Sequence, residues 1–446
     1  MIKKLSISIL LLSATMVAVA QDWPQYFGPT RDSKSPQKNL LREWPAEGPE
    51  VLWSVDVGIG YGGPVIEDGK AYLLDRDGQK EIEIMRCFDM NSGKELWRHE
   101  YPSKGNVMFP GSRSVPIVEG KYVYSAGHNG DLYCYDTKNG KVVWNKNFWT
   151  DFNGEKIPVW ALSQCPLIYE NMLIILSQAA DTGLVAYDKK TGDVIWKTPA
   201  LGDESYTSPN IVKIDGEDHL CIVISSTDHV MHRDKPKQKG KVIGFNPKTG
   251  EELWRYDNWE CIISCANATD AGNNKLLIVG GYDRGATMIQ VEKGADGKYA
   301  TKELYTTIEF GDQTKPALFH DGYFYAQYGT NNRRDGLCCM DIDGNIMWKT
   351  KREPNFDKGS MILADGLILA TDGLNSLYLI QPDPTGFKPL AKADLLAPAQ
   401  TGDAPQGGQM GRGMMGRSSN WAPIALSDGK LLIRNQQKMF CVKVAK

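Results

Sequence analysis

The sequence predicts an all-β chain folded as one eight-bladed β-propeller of four-stranded antiparallel blades. Three observations carry that prediction. A motif, Asp-x-x-x-Gly-x-x-x-Trp, recurs along the chain. A second, eightfold series of turn signals lies between its copies. The composition, with 45 Gly and 10% aromatic residues in 446, is that of many short strands and tight turns. No stretch holds a helical period between strands, which sets aside a parallel β/α sheet.

The motif occurs as Asp89-Gly93-Trp97, Asp136-Gly140-Trp144 and Asp188-Gly192-Trp196. Asn246-Gly250-Trp254 changes only the first residue, and Asp341-Gly344-Trp348 is one residue shorter. An alternating run such as Leu132-Tyr133-Cys134-Tyr135 precedes each copy, so each reads as strand, turn, strand. The Asp or Asn side chain satisfies turn backbone groups, and Gly accepts positive φ. The Trp offers a large apolar plate on one strand face. Trp53, Trp97, Trp144, Trp196, Trp254 and Trp348 are the expected blade-docking residues.

The second series is Asp68-Gly69, Glu119-Gly120, Glu170-Asn171, Asp215-Gly216, Gly272-Asn273, Asp321-Gly322, Asp365-Gly366 and Asp428-Gly429. Each joins two short apolar runs, as a hairpin requires. Two hairpins give four strands per unit, and residues 51–446 divide into eight units of about 50 residues. The last unit, Trp421 to Val444, shows only three strands. Val51-Leu52-Trp53-Ser54-Val55 supplies the fourth, so the ring closes by pairing the two ends of the domain. That closure removes exposed sheet edges. Two units are degenerate. The fifth ends Glu303-Leu304-Tyr305 without Trp, and the seventh ends near Leu395-Leu396. Residues 397–420 read as a low-complexity insertion before the last blade. Residues 21–50 form an N-terminal arm, expected to pack across one ring face because Trp23, Tyr26 and Phe27 are costly to leave in water.

Residues 1–20 read as a signal peptide. Lys3 and Lys4 form the basic region, Leu5 to Val17 the apolar region, and Ala18-Val19-Ala20 the cleavage site before Gln21. The apolar run is shorter than the roughly 20 residues of a membrane span, and no Cys at the cleavage point suggests a lipid anchor. The expected product is periplasmic or secreted, with no membrane span, and a monomer. Cleavage moves the formal charge from -3 to -5, and the basic footprint of a nucleic-acid binder is missing. The nine cysteines read mostly as buried thiols, since Cys87, Cys134, Cys338, Cys339 and Cys441 fall inside apolar runs.

At these residues a family resemblance enters. Ala186 to Trp196 looks like the tryptophan-docking repeat of quinoprotein dehydrogenases, and Gly244 to Trp254 is a second match. The mature chain resembles the PQQ-like eight-bladed propeller proteins exported by Gram-negative bacteria. Asp22 to Pro29, Lys358-Gly359-Ser360 and Trp421-Ala422-Pro423 are similar to one branch of them. The resemblance implies one of two functions: quinone-dependent oxidation of alcohols or sugars, with PQQ and Ca2+, or protein binding, as in the propeller lipoprotein of outer-membrane barrel assembly. Fold alone does not choose between them.

The sequence shows no carboxylate cluster of the kind a calcium-bound quinone wants. Cys338-Cys339 resembles the vicinal disulfide of some quinoproteins. It lies within a strand, however, where neighbouring side chains point to opposite faces. Asp228-His229-x-x-His232-x-Asp234 has metal-ligating residue types, but Arg233, Lys235, Lys237 and Lys239 surround it, and it reads as a solvated loop. Met410, Met414 and Met415 have the softness for Cu(I), and read as part of the insertion. No metal site is assigned.

The remaining constellation is the ring mouth. The inner strands begin at Gly63-Pro64, Val115-Pro116, Cys165-Pro166, Ser208-Pro209, Lys315-Pro316, Gly359-Ser360 and Ala422-Pro423. The residues just before or at them are Tyr61, Arg113, Trp160, Gln164, Tyr206, Gln313, Lys315, Lys358 and Trp421. Aromatic plates among Arg, Lys and Gln can stack on a sugar or grip an anion. They can equally close the channel by packing. The reading preferred on these residues is a non-catalytic propeller recognising a protein, peptide or glycan at its mouth. The alternative is a PQQ-dependent or sugar-acting oxidoreductase. Polysaccharide lyase or hydrolase chemistry is third, for want of an acid/base pair.

Overall fold

The computed structural model describes residues 22–105, 108–202, 205–227, 237–329, 333–397 and 419–446. They form eight sheets in ring order, seven of four strands and one of five. In the first blade, Val65–Glu67 is innermost, followed outward by Lys70–Asp77, Ile82–Asp89 and Glu95–Pro102. Six of the eight predicted hairpin pairs have positive φ at both residues, while Glu119-Gly120 and Glu170-Asn171 have it at Gly120 and Glu170 alone. Asp68 and Gly69 have φ of 50° and 67°, and Asp428 and Gly429 of 46° and 71°. Two successive positive φ values define a type I′ turn, whose twist matches that of the strands it joins.

The ring closes through Val51–Asp56, which pairs antiparallel with Lys438–Lys443 of the last blade, Trp53 opposite Cys441 and Asp56 opposite Lys438. Closure by a strand from the far end of the chain leaves no unpaired edge at the start of the ring. The seventh blade's outer strand is Lys388–Ala393, ending two residues before the expected Leu395. Leu396 instead turns inward and is buried.

The seams explain the motif. The Trp53 ring packs on Gly93 of the next blade, where an added Cβ would lie 2.7 Å from it. Trp97 sits on Gly140, Trp144 on Gly192 and Trp196 on Gly250 in the same way. The indole N–H groups of Trp53, Trp97 and Trp144 donate to Met90, Thr137 and Lys189 carbonyls at 3.0, 3.0 and 3.1 Å. Asp89 Oδ1 holds the receiving turn, accepting from the Asn91 and Ser92 amides at 3.1 and 2.8 Å. The core is accordingly shared between blades. Tyr124, Cys134 and Trp144 of the second blade pack with Leu173, Ile175 and Tyr187 of the third.

Three seams depart from expectation, and in one of them Trp348 seats on no glycine but still docks on the seventh blade, its indole donating to the Asp383 carbonyl at 2.8 Å. The fifth blade has no Trp, yet Tyr305 takes the seat on Gly344, and its hydroxyl donates to the Ile342 carbonyl at 3.3 Å. Trp254 does not seat on a neighbouring glycine. It folds back on Gly244 of its own blade, where a Cβ would meet the indole at 2.1 Å, and donates to His219 Nδ1 at 2.8 Å. The fifth blade lacks the Asp-x-x-x-Gly turn that would receive it.

The arm does more than cross a face. Trp23 forms a bridge with Ile66 of the first inner strand, and Pro24 accepts from the Val118 amide of the second at 2.9 Å. Arg31 donates to the carbonyls of Pro166 and Pro209, at the starts of the third and fourth inner strands, at 3.1 and 3.0 Å. Lys34–Ser35 adds a parallel strand to Met361–Ala364 of the seventh blade. All of these contacts fall on or at the starts of inner strands, so the arm lies inside the ring and enters the channel. The expected signal peptide lies outside the described residues, and among the described residues no helix is long and apolar enough to cross a membrane.

Candidate functional site

Above the arm lies a cavity of about 660 Å³. The segments that precede the inner strands converge on it from every blade, so the ring geometry brings together residues far apart in the chain. Of the residues expected at the mouth, Tyr61, Arg113, Trp160, Tyr206, Gln313, Lys315, Lys358 and Trp421 all line it. Gln164 does not. Its side chain is buried and donates to the Ser205 carbonyl at 2.9 Å, while its Oε1 accepts from the Ser163 amide at 3.0 Å. It is a brace between the segments that lead into the third and fourth inner strands.

One wall is an aromatic cluster. The Trp421 ring lies 5.3 Å from Tyr61 and 5.4 Å from Phe109, centroid to centroid. Lys358 Nζ sits 4.4 Å over the Trp421 ring, and the Arg113 guanidinium 5.6 Å from the Tyr61 ring. Both are cation–π geometries, strengthened where water is excluded. Arg113 also donates to the carbonyls of Met108 and Phe109, so it holds its own loop. Burial lowers its pKa. On another side Trp160 meets Tyr206 edge to face at 5.7 Å. Gln313 donates to Tyr282 Oη at 3.2 Å.

The sequence reading missed several lining residues. Tyr26 comes up from the arm. Ile263, Cys265 and Tyr282 come from the fifth blade, whose inner strand, Thr269–Asp270, begins without the proline that marked most of the others. Asn355 and Asp357 sit just ahead of Lys358, within reach of the rule already applied. Arg334 follows the second strand of the sixth blade, a position with no local signal.

Charge at the mouth is one-sided. Arg113, Lys315, Arg334 and Lys358 line the cavity, against one carboxylate, Asp357. Asp357 lies 3.3 Å from Lys358 Nζ. Asp312, buried close by, accepts from the amides of Thr314, Lys315 and Gln327 at 2.9, 3.1 and 3.2 Å. Burial still pushes its pKa up to about 6. A calcium ion wants six to eight oxygen ligands, usually with several carboxylates. Four cations facing one engaged carboxylate do not fit it, and no step through a calcium-bound quinone follows from these residues. Among the described residues no group of three His, Cys, Asp or Glu side chains could hold a metal. Asp228, His229, His232 and Asp234, and Met410, Met414 and Met415, lie outside the described residues. All nine cysteines are free thiols, Cys338 and Cys339 included, and all but Cys265 are buried.

The relatives divide. The quinohemoprotein alcohol dehydrogenase of Comamonas testosteroni is 26% identical over 294 residues, 54% of this chain and 40% of that enzyme. The chain spans well under two-thirds of the length of the curated relatives it matches. Among solved structures, a europium-containing methanol dehydrogenase superposes with a TM-score of 0.62 at 12% identity, covering 93% of this chain and 89% of that one. BamB from Moraxella catarrhalis superposes with a TM-score of 0.55 at 10% identity, covering 88% and 96%. At these identities the structural likeness is one of fold. Residues 80–257 and 220–383 match the family model described as Outer membrane protein assembly factor BamB, more than half of the sequence, and the chain belongs to that PQQ-like propeller family.

Proposed function

We propose that this chain is an exported, non-catalytic binding protein that takes a small anionic, ring-bearing ligand, such as an acidic sugar or an aromatic acid, at the mouth of its propeller. The observation that carries this reading is a cavity of about 660 Å³ lined by four cations, one carboxylate and an aromatic wall. That volume lies in the range of small-ligand sites. Aromatic faces bind flat rings, and Arg and Lys supply charge-assisted bonds to a carboxylate or phosphate. An acidic glycan is the macromolecular ligand this chemistry favours. The alternative, a quinone-dependent oxidoreductase, has the dehydrogenase relatives in its favour and the cationic lining against a calcium ion.

The test is a titration of the purified mature chain followed by Trp fluorescence and calorimetry. The probes are galacturonate oligomers, pyridoxine 5′-phosphate, and PQQ with and without calcium. Binding of the anions that weakens as salt rises is expected. No binding of any anion overturns the reading. Calcium-dependent PQQ binding with dye-linked alcohol oxidation overturns its non-catalytic part.

A further inference from the structure

Lys315 stands apart from the other cations of the mouth. It lines the cavity and is only 7% exposed. Its Nζ donates to Thr314 Oγ1 at 3.2 Å and to the Lys358 carbonyl at 2.9 Å, both neutral oxygens. Lys358, by contrast, pairs with Asp357 and lies over Trp421. The charged and titratable groups facing Lys315 are Asp312, Lys358, Asp357 and Cys265. Asp312 is largely committed to three backbone amides. The Cys265 thiol is pushed up to about 12 by burial and carries no charge at neutral pH.

We propose that Lys315 is a nucleophilic amine that captures an aldehyde or ketone group of the bound anion as an imine. The inference rests on the mouth-binding reading and names the class of ligand: a carbonyl-bearing anion. Desolvation beside a second cation is a known way to activate a lysine. Burial lowers the Lys315 pKa to about 8, with Asp312 opposing and Lys358 adding to the effect. The Nζ lone pair attacks the carbonyl carbon and forms the C–N bond. The carbonyl oxygen takes up the two amine protons and leaves as water, and the C=N bond forms. No oxidant or reductant is consumed.

A displacement from 10.5 to about 8 raises the uncharged fraction roughly three-hundredfold at pH 7. Lower basicity and restricted access offset part of that gain, so labelling roughly tenfold faster than at exposed lysines is expected. The probe is pyridoxal 5′-phosphate, a flat anionic aldehyde, with borohydride to fix the imine and peptide mass spectrometry to map it. The adduct is expected on Lys315 well ahead of the exposed Lys94 and Lys141, with half-maximal labelling near pH 8. Lys315→Arg keeps the charge and should lose the adduct outright, while affinity for pyridoxine 5′-phosphate, which has the same ring and phosphate but no aldehyde, falls by no more than a few-fold. Should Lys315→Arg not fold, as read by near-ultraviolet circular dichroism, the mapping of the wild-type adduct decides by itself, with labelling of Lys315 ahead of the exposed lysines expected and even labelling overturning the covalent role. Even labelling across the exposed lysines, with pyridoxine 5′-phosphate still bound, overturns the covalent role and leaves the binding site. Failure of both phosphates to bind overturns the two together.

Discussion

The Trp97 indole lies so close to Gly140 of the next blade that a Cβ at Gly140 would sit 2.5 Å from ring carbon Cε3. Gly140 also has φ of 70°. Gly140→Ala therefore meets two costs, a left-handed backbone and a clash with a buried ring. Gly69 has φ of 67° but nothing within 4 Å of the added Cβ, so Gly69→Ala meets only the first. Urea unfolding should give about 1 kcal/mol for Gly69→Ala and roughly 2–4 kcal/mol for Gly140→Ala. Equal losses would mean that the seam does not hold the blades.

Removing the indole itself should grade with burial. Trp97 is 9% exposed and donates to the Thr137 carbonyl. Trp196 is half-buried, and its indole N–H has no hydrogen-bond partner. Trp97→Ala is expected to cost about 3–5 kcal/mol through the void it leaves, and Trp196→Ala about half of that. Differential scanning calorimetry of the two variants checks the order, and a larger loss for Trp196→Ala would contradict it.

Between the first two blades, the Glu83 and His128 side chains meet in a fully buried contact, Oε1 to Nδ1 at 3.2 Å. Tyr101 Oη and Ser103 Oγ also donate to Glu83, at 3.1 and 3.2 Å. Burial alone would raise the Glu83 pKa. The interactions with His128 and Tyr101 outweigh it and leave the carboxyl below its usual range. A depressed carboxyl pKa stabilises the fold above the unfolded value of 4.5, and that stabilisation is lost as pH falls through the folded value. Glu83→Gln should cost roughly 3 kcal/mol at pH 7 by leaving its partners half-satisfied, and should flatten the loss of stability below pH 4.5. Glu119→Gln, at an exposed pair with Lys189, should cost under about 1 kcal/mol. Denaturation midpoints measured from pH 3 to 7 decide it.

At the mouth, Lys358→Met removes one cation and its contact over Trp421. It should weaken binding of pyridoxine 5′-phosphate by roughly 5- to 30-fold with little change in melting temperature. Arg113→Ala should weaken binding and also loosen its loop, since Arg113 braces the Met108 and Phe109 carbonyls. Calorimetric titration paired with a thermal melt separates the two behaviours. Unchanged affinity in Lys358→Met would remove the mouth from the binding site.

Much of this was legible in one dimension. The turn pairs could be read because few residue types other than Gly, Asn and Asp tolerate the positive φ of a type I′ turn. The docking Trp residues could be read because a blade must present an apolar plate to its neighbour. The seats of Trp254 and Tyr305 could not be read in this way, for one reason. Where an aromatic ring seats depends on the glycine offered by another blade, and the fifth blade offers none to Trp254. The mouth was mostly recovered by counting back from strand starts. Gln164 was included and Tyr282 and Arg334 were omitted because that count takes no account of side-chain direction or of the loops between second and third strands.

The sequence by itself determined the number of blades, the closure of the ring and the identity of most mouth residues. These follow from local backbone rules repeated eight times. Tertiary structure alone decided that the arm enters the channel, and that four cations face one carboxylate across an aromatic wall. It also decided that Lys315 is the cation held by neutral oxygens. Those facts depend on which distant segments share one desolvated space. Local rules set the conformation of each segment, and only ring closure sets the electrostatics among them.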